Sequence, residues 1–295
     1  MLPCGRERLL PRRCAAAAVV TAACAAASGR PAARAFAAPP AWSTPTAIFG
    51  PRFRGSGLPE GLRYCTDFVT QAEEDELVDV LEQGPWLQHI KSRAQQFFGL
   101  VYYQTSHDVP ALQPAAEDAQ RGRPLSELPS WLLPRILGTG VFANAQEVNQ
   151  VAANEYLERA GIASHVEEPT CFGANLATLS MLESVHLTLT PDDEPLENTG
   201  VDHGNWVKVL LEPRSLLVLQ GESRYAYRHG IRRSKLVQLR DGSTLRRGAG
   251  YRRVSLTFRE LLETRRKLDA SVVPESDQAG AELLAPWGAE LPSLR

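Results

Sequence analysis

A histidine and a carboxylate lie two residues apart in the segment GIASHVEEPTCFG, residues 161–173. In an extended strand, residues i and i+2 point to the same face, so His165 and Glu167 could both reach one ion while Val166 packs on the other side. Taken alone, the tripeptide does not distinguish a metal site from the polar residues of an ordinary strand. The distinction depends on which other residues join this pair.

A second histidine follows at a distance that suits a metal site. His229 lies 64 residues after His165 and follows the apolar run SLLVL, a spacing that allows a β-roll to return beside the first strand. Two histidines and one carboxylate form the facial triad of non-haem Fe(II) oxygenases, in which further coordination positions stay open. His165, Glu167 and His229 are therefore the candidate metal ligands and catalytic residues.

The segment RVSLTFR, residues 253–259, alternates strictly between polar and apolar residues. One face of such a strand would carry the polar residues Arg253, Ser255, Thr257 and Arg259. Two guanidinium groups held inside a roll need anionic partners, because an unpaired buried charge is costly. A dicarboxylate co-substrate would supply these partners.

Short runs bounded by Gly, Pro, Asp or Asn predict the strands that must hold these residues. The runs are NLATLSML, SVHLTLT, WVKVLLE, SLLVLQG, KLVQL and VSLTFRE. They are typical of an antiparallel sandwich or barrel. Ahead of them, residues 71–83 have the spacing of an amphipathic helix, and SWLLPRILGTGVF predicts a short helix that Gly138 and Gly140 end. We therefore predict helices first and then a β-core that carries the chemistry.

From about Leu62 to Leu261 the chain resembles the AlkB-like family of Fe(II)/2-oxoglutarate dioxygenases. The matching motifs, in the family's order, are NEY (residues 154–156), GIASHVE, LATLSM, EPRSLLVLQGESRYAYRHGI and RVSLTFR. The phrase RSLLV-x-x-GESRY-x-x-x-HGI, together with RAQQFFG, is most similar to the oxygenase domain of the tRNA wobble-uridine hydroxylase branch. The resemblance covers roughly two thirds of the chain.

This resemblance implies a mainly β protein with flanking helices (α+β) around a double-stranded β-helix, or jelly-roll, core. It implies that His165, Glu167 and His229 bind Fe(II), with 2-oxoglutarate and O2 as co-substrates of a dioxygenase. It assigns the 2-oxoglutarate contacts to Asn154, Tyr156, Arg253, Ser255 and Arg259. The chemistry is suitable, because guanidinium pairs bidentately with carboxylate, and phenol and amide groups satisfy the remaining lone pairs.

Glu167 departs from the family pattern, which has aspartate at this position. The additional methylene leaves two alternatives open. The glutamate could still reach iron if the strand backs off or the side chain folds, since side chains have several rotamers. Otherwise it overshoots, and the chain would be a catalytically degenerate binding protein.

The predicted reaction is hydroxylation or oxidative demethylation of a nucleobase, in RNA and most of all in tRNA. Residues 228–253 carry nine Arg and Lys against the single acid Asp241. They form either a basic rim that attracts a phosphate backbone or a solvated, partly disordered loop. Unstacked bases of single-stranded or loop RNA could enter a pocket. The candidate substrate contacts are Lys91, Arg93, Tyr102, Arg232 and Arg233.

A hydroxylase or demethylase of a protein or small molecule is the alternative function. Residues 1–50 carry six arginines and one acid, so the net charge of −2 leaves the remainder acidic. An acidic body argues against an indiscriminate nucleic-acid binder and permits the alternative. Only Cys65 and Cys171 lie outside the first 50 residues, and two such cysteines make neither a disulfide framework nor a zinc cluster.

The N-terminus predicts a cleavable leader over residues 1–35. It has a basic start, an uncharged run over residues 14–28 and an ARA site before Phe36. This arrangement resembles the signal-plus-transit leaders of plastids acquired by secondary endosymbiosis. A mitochondrial presequence and a low-complexity alanine tail are the alternatives.

The rest of the chain is divided accordingly. We predict a transit part or linker over residues 36–60, the dioxygenase domain over residues 61–262 and a C-terminal tail over residues 263–295. After removal of the leader, we expect no stable membrane insertion and a monomer.

Overall fold

The computed structural model describes residues 41–90, 92–101, 122–193 and 204–262. Its strands are β1 (Ala47–Phe49), β2 (Arg63–Cys65), β3 (Leu87–Ile90), β4 (Arg93–Gly99), β5 (Gln150–Leu157), β6 (Ile162–His165), β7 (Phe172–Met181), β8 (Val185–Pro191), β9 (Val207–Leu211), β10 (Leu216–Leu219), β11 (Tyr227–Ile231), β12 (Leu236–Gln238), β13 (Thr244–Arg246) and β14 (Arg252–Leu261). Its α-helices are α1 (Gln71–Glu82), α2 (Leu132–Gly138) and α3 (Gly221–Tyr225), and short 3-10 turns occupy Leu125–Glu127 and Ala145–Glu147.

Two antiparallel sheets face each other. The larger sheet has the strand order β2-β10-β7-β14-β5-β4-β3, and the smaller one has the order β1-β9-β8-β11-β6. Apolar residues of both sheets, among them Leu176 and Leu217 of the larger and Leu189 and Val209 of the smaller, form one core between them. This arrangement is the predicted jelly-roll.

The alternation of β14 appears as the sequence predicts. Val254, Leu256 and Phe258 enter a second apolar core, which the helices cover. Arg253 and Arg259 occupy the opposite face of the strand. The strand therefore holds its polar residues on the side that faces the smaller sheet.

Helix α1 lies where the spacing predicts a helix. The Thr70 hydroxyl accepts a hydrogen bond from the Glu73 amide at 3.3 Å, and the Glu73 carboxylate accepts one from the Thr70 amide at 2.9 Å. This reciprocal cap satisfies two amides at the helix start. Arg135 of α2 donates two hydrogen bonds of 2.7 Å to the same carboxylate. The ion pair thus joins α1 to α2 behind the larger sheet.

Two segments are more ordered than the sequence predicts. Within the predicted linker over residues 36–60, β1 pairs with β9 and extends the smaller sheet. Part of the basic stretch forms the ribbon β12–β13, with Leu236 opposite Arg246, so of the two alternatives for this stretch the partly disordered loop does not describe these residues. Both depend on pairing between distant or turn-linked strands, which local composition does not reveal.

Some predictions fall outside the described residues. These are the leader over residues 1–35, the tail over residues 263–295 and the candidate substrate contacts Lys91 and Tyr102. No helix in the described part of the chain has both the length and the apolar character needed to cross a bilayer. Both described cysteines, Cys65 and Cys171, are buried and take part in no disulfide among the described residues.

Candidate active site

The two candidate histidines occupy neighbouring strands of the smaller sheet. His229 on β11 pairs directly with His165 at the end of β6, and their ring centroids lie 4.5 Å apart. Glycine is required next to them, because a Cβ at Gly230 would lie 2.9 Å from the Cα of Ser164. The HGI sequence therefore allows β6 to approach β11 closely enough for the two rings to meet.

Glu167 completes a cluster with these rings. Its Oε1 lies 3.8 Å from Nε2 of His165, and one ligand atom from each of the three residues lies within 4.8 Å of the others. Nδ1 of His165 is 2.8 Å from the Ala163 carbonyl oxygen, which assigns the ring hydrogen to Nδ1 and leaves the Nε2 lone pair facing Glu167. Nδ1 of His229 is buried without a hydrogen-bond partner among the described residues. Two imidazoles and a carboxylate in this arrangement fit ferrous iron.

The electrostatics favour the ligating forms of two members of the cluster. Burial opposes ionisation of Glu167, but the Arg259 guanidinium and the two imidazoles outweigh it, so the pKa of this carboxyl lies well below its usual range. Burial, reinforced by the neighbouring His165, lowers the pKa of His229 to about 3. At neutral pH the site therefore holds an ionised carboxylate and a neutral imidazole at position 229, as metal coordination requires.

His165 behaves differently from His229. Burial alone would lower the pKa of His165, but the negative charge of the neighbouring Glu167 carboxylate and the hydrogen bond to the Ala163 carbonyl oxygen raise it overall. A metal ion would compete with a proton for the same nitrogen.

Arg259 contacts the candidate metal carboxylate. Its Nη1 lies 2.9 Å from Oε2 of Glu167, and its Nε donates to Oε1 of Gln150 at 2.6 Å. The guanidinium also stacks 3.9 Å from the ring centroid of Phe172. The sequence assigns Arg259 to 2-oxoglutarate, whereas its contacts among the described residues hold Glu167 in place. Its contact with the co-substrate stays a prediction.

The other predicted co-substrate residues share two paired strands of the larger sheet. Arg253 pairs with Tyr156 and Ser255 with Asn154 across β14 and β5. Arg253 is 1% exposed, donates from Nη2 to the Ser180 hydroxyl at 2.8 Å and leaves Nε buried without a partner among the described residues. Burial lowers the pKa of Arg253. Arg253, a buried guanidinium whose Nε has no hydrogen-bond acceptor among the described residues, is therefore suited to bind a carboxylate of 2-oxoglutarate.

The described candidate substrate contacts lie in two places. Arg93 on β4 donates from Nε to Oδ1 of Asn154 at 3.0 Å, so it lies beside the predicted co-substrate residues. Arg232 and Arg233 instead follow the end of β11. The Arg232 guanidinium lies 5.7 Å from the Trp206 ring centroid, and Arg233 is exposed. The structure thus brings Arg93 to the site and places the other two on the way to the β12–β13 ribbon.

A buried arginine fastens that ribbon to the body of the protein. Arg247 is 2% exposed and donates to three backbone carbonyl oxygens. Nε reaches Glu158 at 3.1 Å, Nη1 reaches Arg232 at 2.9 Å, and Nη2 reaches Ala160. Glu158 and Ala160 belong to the turn between β5 and β6, so the ribbon is fixed to the turn that leads to His165.

Sequence reasoning missed two polar residues that support the cluster. Arg224 is fully buried and donates from Nη1 to the Glu167 carbonyl oxygen at 2.7 Å. Gln150, also fully buried, accepts from Arg259 and donates to the Leu100 carbonyl oxygen at 2.7 Å. The available signal for Arg224 was its place in the GESRY phrase, to which the sequence alone assigns no chemistry. Gln150 stands outside the quoted motifs.

Comparison with known proteins agrees with this geometry. Residues 61–259 match the family model described as the 2OG-Fe(II) oxygenase superfamily. The chain is 28% identical over 215 residues to an Arabidopsis thaliana protein named "Alkylated DNA repair protein ALKBH8 homolog", covering 68% of this chain and 58% of that protein. It is 27% identical over 183 residues to the Mus musculus "tRNA (carboxymethyluridine(34)-5-O)-methyltransferase ALKBH8", covering 59% of this chain and 24% of that protein.

A third relative is the Danio rerio "Probable RNA/DNA demethylase ALKBH6". It is 27% identical over 186 residues, which cover 59% of this chain and 70% of that protein. The chain thus spans only 58% and 24% of the length of the first two relatives. What those larger proteins do as a whole does not transfer to it directly.

Proposed function

Because this chain belongs to the 2OG-Fe(II) oxygenase superfamily and is an AlkB-type dioxygenase, we propose that it oxidises a C–H bond of a nucleobase in RNA, with tRNA as the foremost substrate. The observation that carries the proposal is the convergence of His165, Glu167 and His229 within 4.8 Å. When bound, Fe(II) with 2-oxoglutarate and O2 supplies the oxidising chemistry, which inserts one oxygen atom into the C–H bond and yields succinate and CO2.

The side chains of this protein hold and orient the reactants. His165, Glu167 and His229 bind the metal, and Arg259 keeps Glu167 ionised. Arg253 binds a carboxylate of 2-oxoglutarate. Because Arg253 is withdrawn from water, its charge-assisted hydrogen bonds to that carboxylate are stronger than they would be at the surface.

Tyr156, Asn154 and Ser255 complete the co-substrate contacts. Burial raises the pKa of Tyr156, so its phenol stays protonated and can donate to a carboxylate. Asn154 accepts hydrogen bonds from Arg93 and Gln95, which fix its amide orientation. Ser255 lies directly opposite Asn154 in the ladder. The three groups lie close enough in register to act on one ligand.

Two observations support RNA as the substrate. Two of the three relatives carry names that refer to tRNA or to RNA and DNA, while the name of the third refers to DNA repair. In addition, the β12–β13 ribbon and the residues leading to it expose Arg233, Lys235 and Arg246, which have no ion-pair partner among the described residues. Phosphate neutralisation by such cations supplies most of the non-specific affinity for nucleic acid.

The position of the oxidised carbon decides the product. If the carbon is an N-methyl group, the hydroxylated product collapses and releases formaldehyde. If it is a carbon substituent of the base, the alcohol persists. Incubation with total tRNA, followed by a formaldehyde assay and nucleoside mass spectrometry, distinguishes the two outcomes.

The metal site is tested without any substrate. Anaerobic titration of the protein with Fe(II) and 2-oxoglutarate should give the visible charge-transfer band of a chelated keto acid, and His229→Ala should lose it. A wild-type protein without the band would overturn the proposal in favour of a catalytically degenerate binding protein. A band without any RNA product would instead direct the search to protein or small-molecule substrates.

A further inference from the structure

Arg224 is a charged side chain that the proposed chemistry does not use directly. It lies in α3, within the GESRY sequence, and has 0% exposure. Nη1 donates to the Glu167 carbonyl oxygen at 2.7 Å, and Nη2 lies 3.5 Å from the Phe172 carbonyl oxygen. Glu167 and Phe172 stand at the two ends of the connection between β6 and β7. The guanidinium therefore ties the two ends of this connection together.

The position of Glu167 explains why such a tie is needed. Strand β6 ends at His165, so Glu167 lies beyond the β-ladder that fixes the histidine. Its side chain has one more rotatable bond than aspartate, which gives the carboxylate more positions to occupy. A metal ligand, however, must be held to within a few tenths of an ångström.

Two arginines restrict the two ends of this glutamate. Arg259 binds the carboxylate, with Nη1 2.9 Å from Oε2. Arg224 binds the backbone carbonyl of the same residue. The remaining carboxylate oxygen, Oε1, faces His165. With both ends fixed, the additional methylene has little freedom to move Oε1 away from the cluster.

Arg224 is not required to hold its own helix. The Ser223 hydroxyl bridges the amide and the carbonyl of Gln220 at 3.1 and 2.8 Å, and the Ala226 amide donates to the Glu222 carbonyl oxygen at 2.8 Å. Arg224 is fully buried, and a charge withdrawn from water is held at a cost in free energy. Because helix α3 is held without Arg224, the buried charge of Arg224 indicates a role at its contact with the Glu167 carbonyl oxygen.

We propose that Arg224 is a positioning residue for the metal-binding carboxylate. It fixes the backbone of Glu167, while Arg259 fixes the carboxylate, so both ends of the glutamate are held. Arg224 precedes His229 by five residues, so α3 and β11 carry both a metal ligand and the group that positions another. This inference rests on the proposed metal role of His165, Glu167 and His229.

The test measures metal affinity rather than turnover. Mn(II), a redox-stable probe, is titrated calorimetrically into the full-length wild type, Arg224→Met and Arg224→Lys, and the Tm of each is recorded with and without the metal. We expect Arg224→Met to weaken Mn(II) affinity about 10- to 100-fold, as loss of an outer contact to a ligand does. Arg224→Lys should recover part of the affinity, because one ammonium can donate to one of the two carbonyl oxygens but lacks the planar fork.

Arg135→Met is the matched control. Arg135 is also largely buried, but it is ion-paired with Glu73 in α1 and does not contact the metal cluster. The control should lower the Tm of the metal-free protein and leave the Mn(II) affinity unchanged. The rise in Tm caused by Mn(II) should shrink for Arg224→Met and persist for Arg135→Met.

The outcomes separate this inference from the proposed function. Equal Mn(II) affinity of the wild type and Arg224→Met overturns the positioning role and leaves the metal site intact. A wild type that binds no Mn(II) overturns both. If Arg224→Met does not fold, Arg224→Lys decides, because it retains the charge, and an unchanged affinity in that variant refutes the role.

Discussion

His165 and His229 are direct partners across two antiparallel strands, and their imidazole rings lie 4.5 Å apart. Residues separated by 64 positions thus become direct neighbours through the pairing of β6 with β11. Glu167, by contrast, lies past the strand end and depends on arginines for its position. The site therefore combines two rigid ligands with one that is held by side chains.

The first prediction concerns the length of the carboxylate. Glu167→Asp should weaken Mn(II) or Fe(II) affinity about tenfold or more, because the shorter side chain retreats from both the cluster and Arg259 while Arg224 keeps its backbone fixed. Calorimetric titration of the metal measures the change. Glu168→Asp is the control, since the Glu168 carboxylate accepts instead from the amide and hydroxyl of Thr170. A large gain in affinity for Glu167→Asp would show a degraded site that aspartate repairs.

The second prediction concerns the co-substrate. Arg253→Met should raise the Kd for 2-oxoglutarate roughly 10- to 100-fold, the loss expected when a buried carboxylate loses a charge-assisted partner. Anaerobic titration of the Fe(II)-loaded protein with 2-oxoglutarate measures it. Arg252→Met is the neighbouring control, because Arg252 pairs with Glu155 and Glu82 at a partly exposed position. Similar Kd values for both variants would refute a direct role of Arg253.

The polar face of β14 was predictable from the sequence, whereas the support of Glu167 was not. A period of two residues places Arg253 and Arg259 on one face of a strand regardless of what surrounds it. Arg224 acts on a backbone carbonyl 57 residues away, and a backbone acceptor leaves no trace in the sequence. A charged residue in a short polar helix therefore suggests a surface position until the fold shows that it is buried.

The order of the β12–β13 ribbon was likewise not predictable from the sequence. Asp, Gly and Ser between two short runs predict a turn, but these residue types do not distinguish a ribbon from a mobile loop. What orders the segment is Arg247, whose contacts with Glu158 and Ala160 join parts of the chain nearly 90 residues apart. Tertiary contacts of this kind follow from the sheet arrangement, which local patterns do not specify.

The third prediction concerns RNA binding. Replacing Arg233, Lys235 and Arg246 together by serine should weaken binding to single-stranded RNA. The slope of log K against log salt concentration should also become less steep, by up to about 2. Fluorescence anisotropy at several salt concentrations measures both quantities. The reason is that each exposed cation releases counterions when it contacts a phosphate.

Arg240 offers the matched control on the same ribbon segment. Its guanidinium is already paired with Glu212, with contacts of 3.0 and 2.5 Å, so Arg240→Ser should leave the salt slope unchanged. If the triple variant and Arg240→Ser behave alike, the ribbon does not contact phosphate. Substrate recognition would then have to involve the region around Arg93.

The fourth prediction concerns acid stability. Hydrogen bonds from Arg135 lower the pKa of the Glu73 carboxyl from 4.5 to about 2. Because the folded pKa lies below the unfolded one, this pair contributes its full stabilisation above pH 4.5 and loses it as the pH falls toward 2. Glu73→Gln should therefore lower the free energy of unfolding by about 3 kcal/mol at neutral pH, with a difference from wild type that shrinks below pH 4.5. Denaturant unfolding between pH 3 and 7 measures this difference, and a difference independent of pH would mean that the ion pair does not stabilise the packing of α1 on α2.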